Sequence, residues 1–525
     1  MQDSLVEYGA RRVIITITAI LCALLEIVDT TIVNVALNEM KGNLGATLSE
    51  VGWVITAYAI GNVIIVPMTS WLSQQFGRRN YFAASIIIFT VFSFLCGNAT
   101  NIWELVFFRL MQGIGGGALL VTSQTIITES YPIEKRSMAQ AIYGLGVIIG
   151  PTLGPPLGGY IVDNYSWPFI FYINIPIGIV ATLLTLQFVR SPKYADKKSA
   201  SEVDWLGIFL LAITVGSLQY ILEKGHEDDW FESKVITTLA LTSFFGLIFF
   251  IWRELTCEHP IVELRVLKNG NLRIGTVMSF ILGFGLYGST FIVPLYTQSV
   301  LGWTALQSGA LMIPAALTTA FMMPIIAKLI NRGVKQQLLV ALGFFIFFIY
   351  SFWGYKILTP DTGKDAFFWM LIMRGAGLGL LFIPITSLSL STLKGPQIGQ
   401  GAAFTGMMRQ LGGSFGVAAI TTFISNKSMF YRSDLVSKLD SNSLMVQQRL
   451  ASLKAGFMAK GMTPDQALSA AYKVLDFSVS KQSAVLSYMD VFLYLGLIFL
   501  FCIPFILLVK ERKGGETIDL SEAMH

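Results

Sequence analysis

The sequence predicts an all-α polytopic membrane protein with fourteen spans. Three observations carry this. Of 525 residues, 54% are apolar and only 13% are charged, against about 25% charged in an ordinary soluble protein. Apolar runs of spanning length, about 20 residues each, recur along the whole chain. Mean hydropathy is +0.64. Together these exclude a soluble enzyme, a disordered chain and a nucleic-acid binder with a basic surface.

The runs fall, in order, at 13–38, 51–73, 81–97, 104–128, 138–161, 168–189, 205–222, 235–252, 272–298, 307–330, 336–356, 367–391, 400–424 and 486–509. Their even number puts both termini on one side. Lys and Arg are concentrated in the segments that share that side: Arg11, Arg12, Arg78, Arg79, Lys135, Arg136, Lys197, Lys198, Arg253, Lys268, Arg332, Lys335, Lys510, Arg512 and Lys513. The short loops opposite hold Lys41, Lys224, Lys234, Lys356 and Lys364. The positive-inside rule therefore makes both termini cytoplasmic. The first run carries Glu26 and Asp29 and lacks a small-residue cleavage site, so it reads as a span rather than a signal peptide.

Cys22, Cys96, Cys257 and Cys502 form no paired spacing, and His226, His259 and His525 stand apart in polar segments. No metal site and no cofactor is expected from that pattern. No nucleotide loop appears either, because the glycines after Gly146 lie inside an apolar run.

The expected organisation is a first six-span bundle at 1–189 and a linker at 190–204. Two inserted spans occupy 205–252, and a second bundle begins at 253–424. A long outer loop or helical hairpin at 425–485 precedes the last span, 486–509, and a tail at 510–525. A weak internal repeat supports this: Arg109 to Gly115 in span 4 resembles Arg374 to Gly379 in span 12, and Phe76 to Arg79 resembles Arg332 to Lys335. Both pairs lie eight spans apart, as six spans, two inserted and six related spans require. In the outer segment, Thr463, Pro464 and Gln466 spell a helix start. That helix is either a simple extension of span 14 or part of a docking surface.

Charged residues inside hydrocarbon are costly and usually functional. Glu26 and Asp29 lie three apart in span 1, with Thr30, Thr31 and Asn34 beside them, so the two carboxylates share a helix face. Asp29 is either the carboxylate that takes and releases a proton or a static ion-pair partner. Glu26 has a coupling role or a structural one on the access path. Arg109 in span 4 cannot lose its proton and needs one of them as counter-charge, with Gln112 and Gly113 one turn on. This is a structural clamp or a pair whose strength follows protonation. In span 5, Gly150, Pro151, Gly154, Pro155, Gly158 and Gly159 suit a close, bendable seam between the bundles. In span 13, Arg409 lines the cavity or stands near its cytoplasmic mouth.

Asp29 to Leu37, Arg109 to Gly117, Gly150 to Gly159, Trp167 to Gly178 and Asp204 to Gly207 are together similar to known motifs. Through them, over nearly its whole length, the chain resembles the fourteen-span drug:proton antiporter family of the major facilitator superfamily, EmrB/QacA type. Within it, the resemblance is to the inner-membrane subunits of tripartite multidrug efflux pumps. The resemblance implies the major facilitator fold, two six-helix bundles plus two inserted helices. It also implies proton entry coupled to export of hydrophobic or amphipathic compounds, with the proton gradient as energy source and antibiotic resistance as the consequence. A periplasmic adaptor (EmrA-like) and an outer-membrane channel (TolC-like) are the implied partners, and the bacterial inner membrane the implied location. Asn38 stands where that family usually has proline. In the loop after span 2, Ser70 and Gln74 replace its glycine and aspartate, which puts the family's charge latch in doubt, while Gly77, Arg78 and Arg79 keep the basic end of the cytoplasmic gate. The aromatic content and nineteen methionines suit an adaptable apolar cavity. The alternative within the class is export of one metabolite, such as a fatty acid, a siderophore or a bile-salt-like molecule.

Overall fold

In a computed structural model, residues 5–192, 203–439 and 443–507 are described. Most of the expected linker, with Lys197 and Lys198, and the tail after residue 507 lie outside them.

The first half contains α1 (Gly9–Asn43), α2 (Leu48–Phe76), α3 (Arg78–Gly97), α4 (Ile102–Ser130), α5 (Arg136–Asn164), α6 (Phe169–Tyr172) and α7 (Asn174–Phe188). Two helices follow, α8 (Trp205–Lys224) and α9 (Lys234–Thr256). The second half contains α10 (Gly270–Ser299), α11 (Ala305–Leu311), α12 (Ile313–Asn331), α13 (Gln336–Ile357), α14 (Lys364–Leu390), α15 (Pro396–Ser437), α16 (Leu444–Met458) and α17 (Pro464–Leu507). Among the described residues there is no strand.

The repeat seen in sequence is a repeat of packing. Helix α1 lies on α5 as α10 lies on α15, α2 on α4 as α12 on α14, and α3 on α7 as α13 on α17. Helices α8 and α9 pack on each other, and α8 also touches α2 and α15. Asp204 fixes their shared end. Its Oδ1 accepts the Gly207 N–H at 3.0 Å, capping α8, and Arg253 of α9 reaches the same carboxylate at 3.1 Å. Burial raises the Asp204 carboxyl, but the Arg253 and Gly207 donors outweigh it and hold it below the usual carboxylate range.

Thirteen helices among the described residues are long and apolar enough to cross a membrane. The expected span at 400–424 lies in α15, whose glycines, Arg409 and polar end dilute its apolarity. It is nevertheless packed along α10, with residues from Ile398 to Ile420 buried. Both helices bounding the expected outer loop overrun it. Helix α15 continues to Ser437 and α17 starts at Pro464 instead of 486. Thr463 caps α17 as the sequence suggests: its N–H donates to Gln466 Oε1 at 3.2 Å, and its Oγ1 accepts from Gln466 N at 3.5 Å. The extension of span 14 is therefore real. The two overrunning helices are tied by Arg432 to Asp476 at 2.7 Å and Lys427 to Asp490 at 3.3 Å.

The span-5 glycines do more than one job. A Cβ on Gly150 would meet Ile27, one on Gly154 would meet Thr31, and one on Gly158 would meet Ile32. These three seat α1 against α5 inside the first half, so the expected seam between halves is not theirs. The opposite face of α5 makes that seam. Gly159 faces Leu306, Pro156 faces Gly309 and Gly144 faces Phe382. Pro151 and Pro155 lie within α5, which stays helical through both.

Candidate functional site

Asp29 is fully buried on α1. Three side chains from two other helices donate to its carboxylate. Arg109 Nη1 lies 2.6 Å from Oδ2, while Gln112 Nε2 and Asn174 Nδ2 lie 3.0 and 2.8 Å from Oδ1. Of the two carboxylates that the sequence offers Arg109, Asp29 is the one it pairs with, and Gln112 joins the pair on the same face of α4.

The arginine is further fixed by its surroundings. Its Nε donates to the Val54 carbonyl at 3.2 Å and its Nη1 to Gln112 Oε1 at 2.6 Å. The guanidinium lies 4.0 Å from the Tyr58 ring centroid, a desolvated cation–π contact. Ser93 on α3 accepts from Gln112 Nε2 at 2.7 Å. Such close approach needs small residues. A Cβ on Gly113 would collide with the α2 backbone at Tyr58 and Asn62, so Gly113 is what lets α4 lie close against α2.

Glu26, one turn below Asp29, keeps different company. It is 5% exposed, and its Oε1 accepts from Asn62 Nδ2 at 2.8 Å. No cation contacts it among the described residues. The shared helix face holds for both carboxylates, but only Asp29 has the arginine. Thr31 donates back to Ile27 and Val28 carbonyls of its own helix, both at 3.1 Å. Asn34 is exposed and stands apart from the cluster.

At the loop after α2, Gly77 takes φ +80, a left-handed value that favours glycine. Arg78 turns inward and pairs with Glu129 at the end of α4 through both guanidinium nitrogens, Nη2 to Oε1 at 3.1 Å. Arg79 is exposed, and its backbone N–H donates to Ser191 Oγ at 3.1 Å. Among the described residues, Gln74 donates to Ser70 at 3.4 Å. The charge link at this end therefore runs through Glu129, not through position 74. Arg409 on α15 is 3% exposed and lies 5.4 Å from the Phe382 ring centroid, which puts it inside the molecule rather than at a mouth.

Sequence reasoning did not assign roles to Asn174, Ser93, Asn62, Tyr58 or Glu129. All but Glu129 are neutral, and Asn174 sat in a quoted motif. A polar residue in a spanning run was the available signal.

The profile of the Major Facilitator Superfamily matches residues 19–417. The chain is 32% identical over 515 residues to the multidrug export protein EmrB of Escherichia coli (strain K12), covering 98% of each. It is 32% identical over 510 residues to the fatty acid resistance protein FarB of Neisseria gonorrhoeae, covering 97% of this chain and 98% of that one. The proton:xylose symporter XylE shares the fold, with a TM-score of 0.59 at 15% identity over 98% of this chain and 99% of that chain. With its duplicated bundles and buried span-1 charge cluster, the chain belongs to the Major Facilitator Superfamily, and within it to the EmrB-type transporters.

Proposed function

We propose that the chain is a proton-coupled antiporter that exports hydrophobic and amphipathic compounds across a bacterial inner membrane. The observation that carries this is the buried carboxylate pair of α1, with Asp29 tied to Arg109, Gln112 and Asn174 and Glu26 tied to Asn62. Protonation of Asp29 turns an ionic contact with Arg109 into a neutral one and loosens the tie between α1 and α4. Glu26, one turn away, is the neighbouring group through which the proton passes. Because α1 also packs on α5 and α7, loosening it changes the half that faces the second bundle.

Proteoliposomes containing only this protein test the reading. An imposed pH gradient should drive accumulation of an amphipathic dye, and a proton ionophore should abolish it. Dye movement indifferent to the gradient would overturn proton coupling.

Likeness to FarB supports a second reading, export of a single metabolite such as a fatty acid. Cellular accumulation across a compound panel separates the two: one protected compound class favours the second.

The distribution of Lys and Arg supports a cytoplasmic position for both termini. In a cysteine-free background, Pro360→Cys should label from outside and Lys197→Cys only from inside. The overrunning ends of α15 and α17, with α16 between them, are proposed as the surface for a periplasmic adaptor leading to an outer-membrane channel. Shortening residues 430–478 to a Gly/Ser linker should leave transport in liposomes intact while adaptor co-purification and cellular protection are lost. A shortened protein that keeps all three overturns the docking role.

A further inference from the structure

The inserted helices α8 and α9 play no part in the coupling reading, yet α8 touches both halves. Toward the first half it presents one stripe. Gly216, Tyr220 and Lys224 recur every four residues and so share a face. Gly216 faces Ile60 and Ile64, the Tyr220 ring lies 5.4 Å from that of Trp53 by centroids, and a Cβ on Gly52 would come within 2.7 Å of Lys224 Nζ. These contacts follow α2 from Ile64 to Gly52, about three turns. Each helix places a glycine in the contact, and small residues let spanning helices pack closely.

Toward the second half the ties differ in kind. Gln219 of α8 donates through Nε2 to Ser414 Oγ of α15 at 2.9 Å. Trp230, in the turn between α8 and α9, donates through Nε1 to Thr422 Oγ1 of the same helix at 3.1 Å. Ser414 and Thr422 fall on one stripe of α15, about two turns apart. Nearer the other end of α8, Leu211 and Val215 share an apolar cluster with Phe404 and Leu411 of α15. Gln219 is 1% exposed, and among the described residues its Oε1 accepts no hydrogen bond. A buried acceptor left unpaired is costly. Parting α8 from α15 there would give that oxygen water, and water would also replace the two broken hydrogen bonds. The stripe on α2, by contrast, is lost only by separating the helices along its whole length.

We propose that the inserted pair is a clasp: it travels with the first half, closes on α15 through Gln219–Ser414 and Trp230–Thr422, and lets go when the halves part at that end. The proposed topology makes this the outer end. The closed clasp opposes opening there, and the unpaired Gln219 oxygen keeps that opposition small enough to be reversed in each cycle. The pair is thus a conformational device of the fold and not a passive addition at its edge. The inference takes from the export reading only that the two halves part.

The test reads distances and needs no transport. In the full chain, in a cysteine-free background and lipid nanodiscs, spin labels join Lys234→Cys of α9 to Lys41→Cys of α1 and, in a second sample, to Asn426→Cys of α15. All three sites are exposed. The first pair should give a single narrow distance and the second a shorter and a longer one. Ser414→Ala with Thr422→Val removes both acceptors and leaves α8 and α9 untouched. It should raise the ratio of long to short distance in the second pair about tenfold, the scale of two lost neutral hydrogen bonds, and leave the first pair unmoved. A narrow second distance, or a broad first one, overturns the attachment to the first half. A second distribution that the double variant does not shift overturns the clasp. Gradient-driven dye transport with a fixed 234-to-426 distance sinks this inference alone. The predicted distances in a protein whose dye movement ignores the gradient sink the antiport reading alone.

Discussion

The two halves place an arginine at the same point of the repeat and treat it differently. Arg109 on α4 and Arg374 on α14 both lie on a helix that packs chiefly on three others of its half. Arg109 meets a carboxylate, the Gln112 side-chain amide, the Val54 carbonyl and an aromatic face. Arg374 meets the hydroxyls of Ser289 and Thr290 and, at 3.5 Å, the Leu286 carbonyl. A duplicated scaffold has thus kept the cation twice but a titratable partner once. Acceptors that cannot change charge make a fixed tie, whereas a carboxylate makes one that a proton can loosen. On the proposed coupling, the tie that a proton can loosen lies in the first half and its fixed counterpart in the second.

The largest expected effect breaks this contrast directly. Arg109→Ala leaves Asp29 buried without its cation, which costs about 3–5 kcal/mol. Arg374→Ala leaves only neutral oxygens behind, at about 1–3 kcal/mol. Thermal unfolding in detergent should rank them in that order, and equal losses would erase the distinction. Next, Asp29→Asn should insert and fold but lose pH-gradient-driven transport in liposomes. Normal transport in that variant would move the coupling to Glu26.

A smaller effect sharpens the comparison at the helix seams. Between α1 and α5, a Cβ on Gly150 meets the Cγ2 and Cβ of Ile27, of which the Cγ2 can turn aside. Between α10 and α15, a Cβ on Gly412 meets the backbone carbonyl of Phe280, which cannot. Gly412→Ala should therefore be the more destabilising, within the range of about 1–3 kcal/mol typical of overpacking, as read by unfolding temperature. The smallest effect is at the inserted pair. Asp204 is held below its ordinary range, so its contribution is present above about pH 4, the unfolded carboxylate value, and fades as pH falls through its folded value. Asp204→Asn should lower the unfolding temperature slightly at pH 7 and flatten the acid limb of the stability profile.

The spans were legible because hydrocarbon demands apolar length. Their helical ends were not, since apolarity reports residence in the membrane and not where a helix stops. The ion pairs between α15 and α17 that carry those helices onward are ordinary polar residues in sequence. The Asp29–Arg109 pair was legible because buried charges need counter-charges. Asn174, Ser93 and Asn62 carry no charge, and five helices had to be assembled before their partners could be known. The glycines of α5 announced close packing without saying which neighbour each would meet.

Helix α17 has 44 residues, so at about 1.5 Å per residue it measures about 66 Å, roughly twice the hydrocarbon thickness. Helix α15, with 42 residues, is nearly its match. Clamped to each other through Arg432 and Asp476, they form a stiff two-rod lever rooted in the second half. A small rotation of that half near the bilayer centre becomes a displacement of several ångströms at its far end, in proportion to the arm of about 30 Å that stands clear of the hydrocarbon. On the proposed export reading, a partner resting against the tip would feel the tilt of the bundle enlarged by that arm.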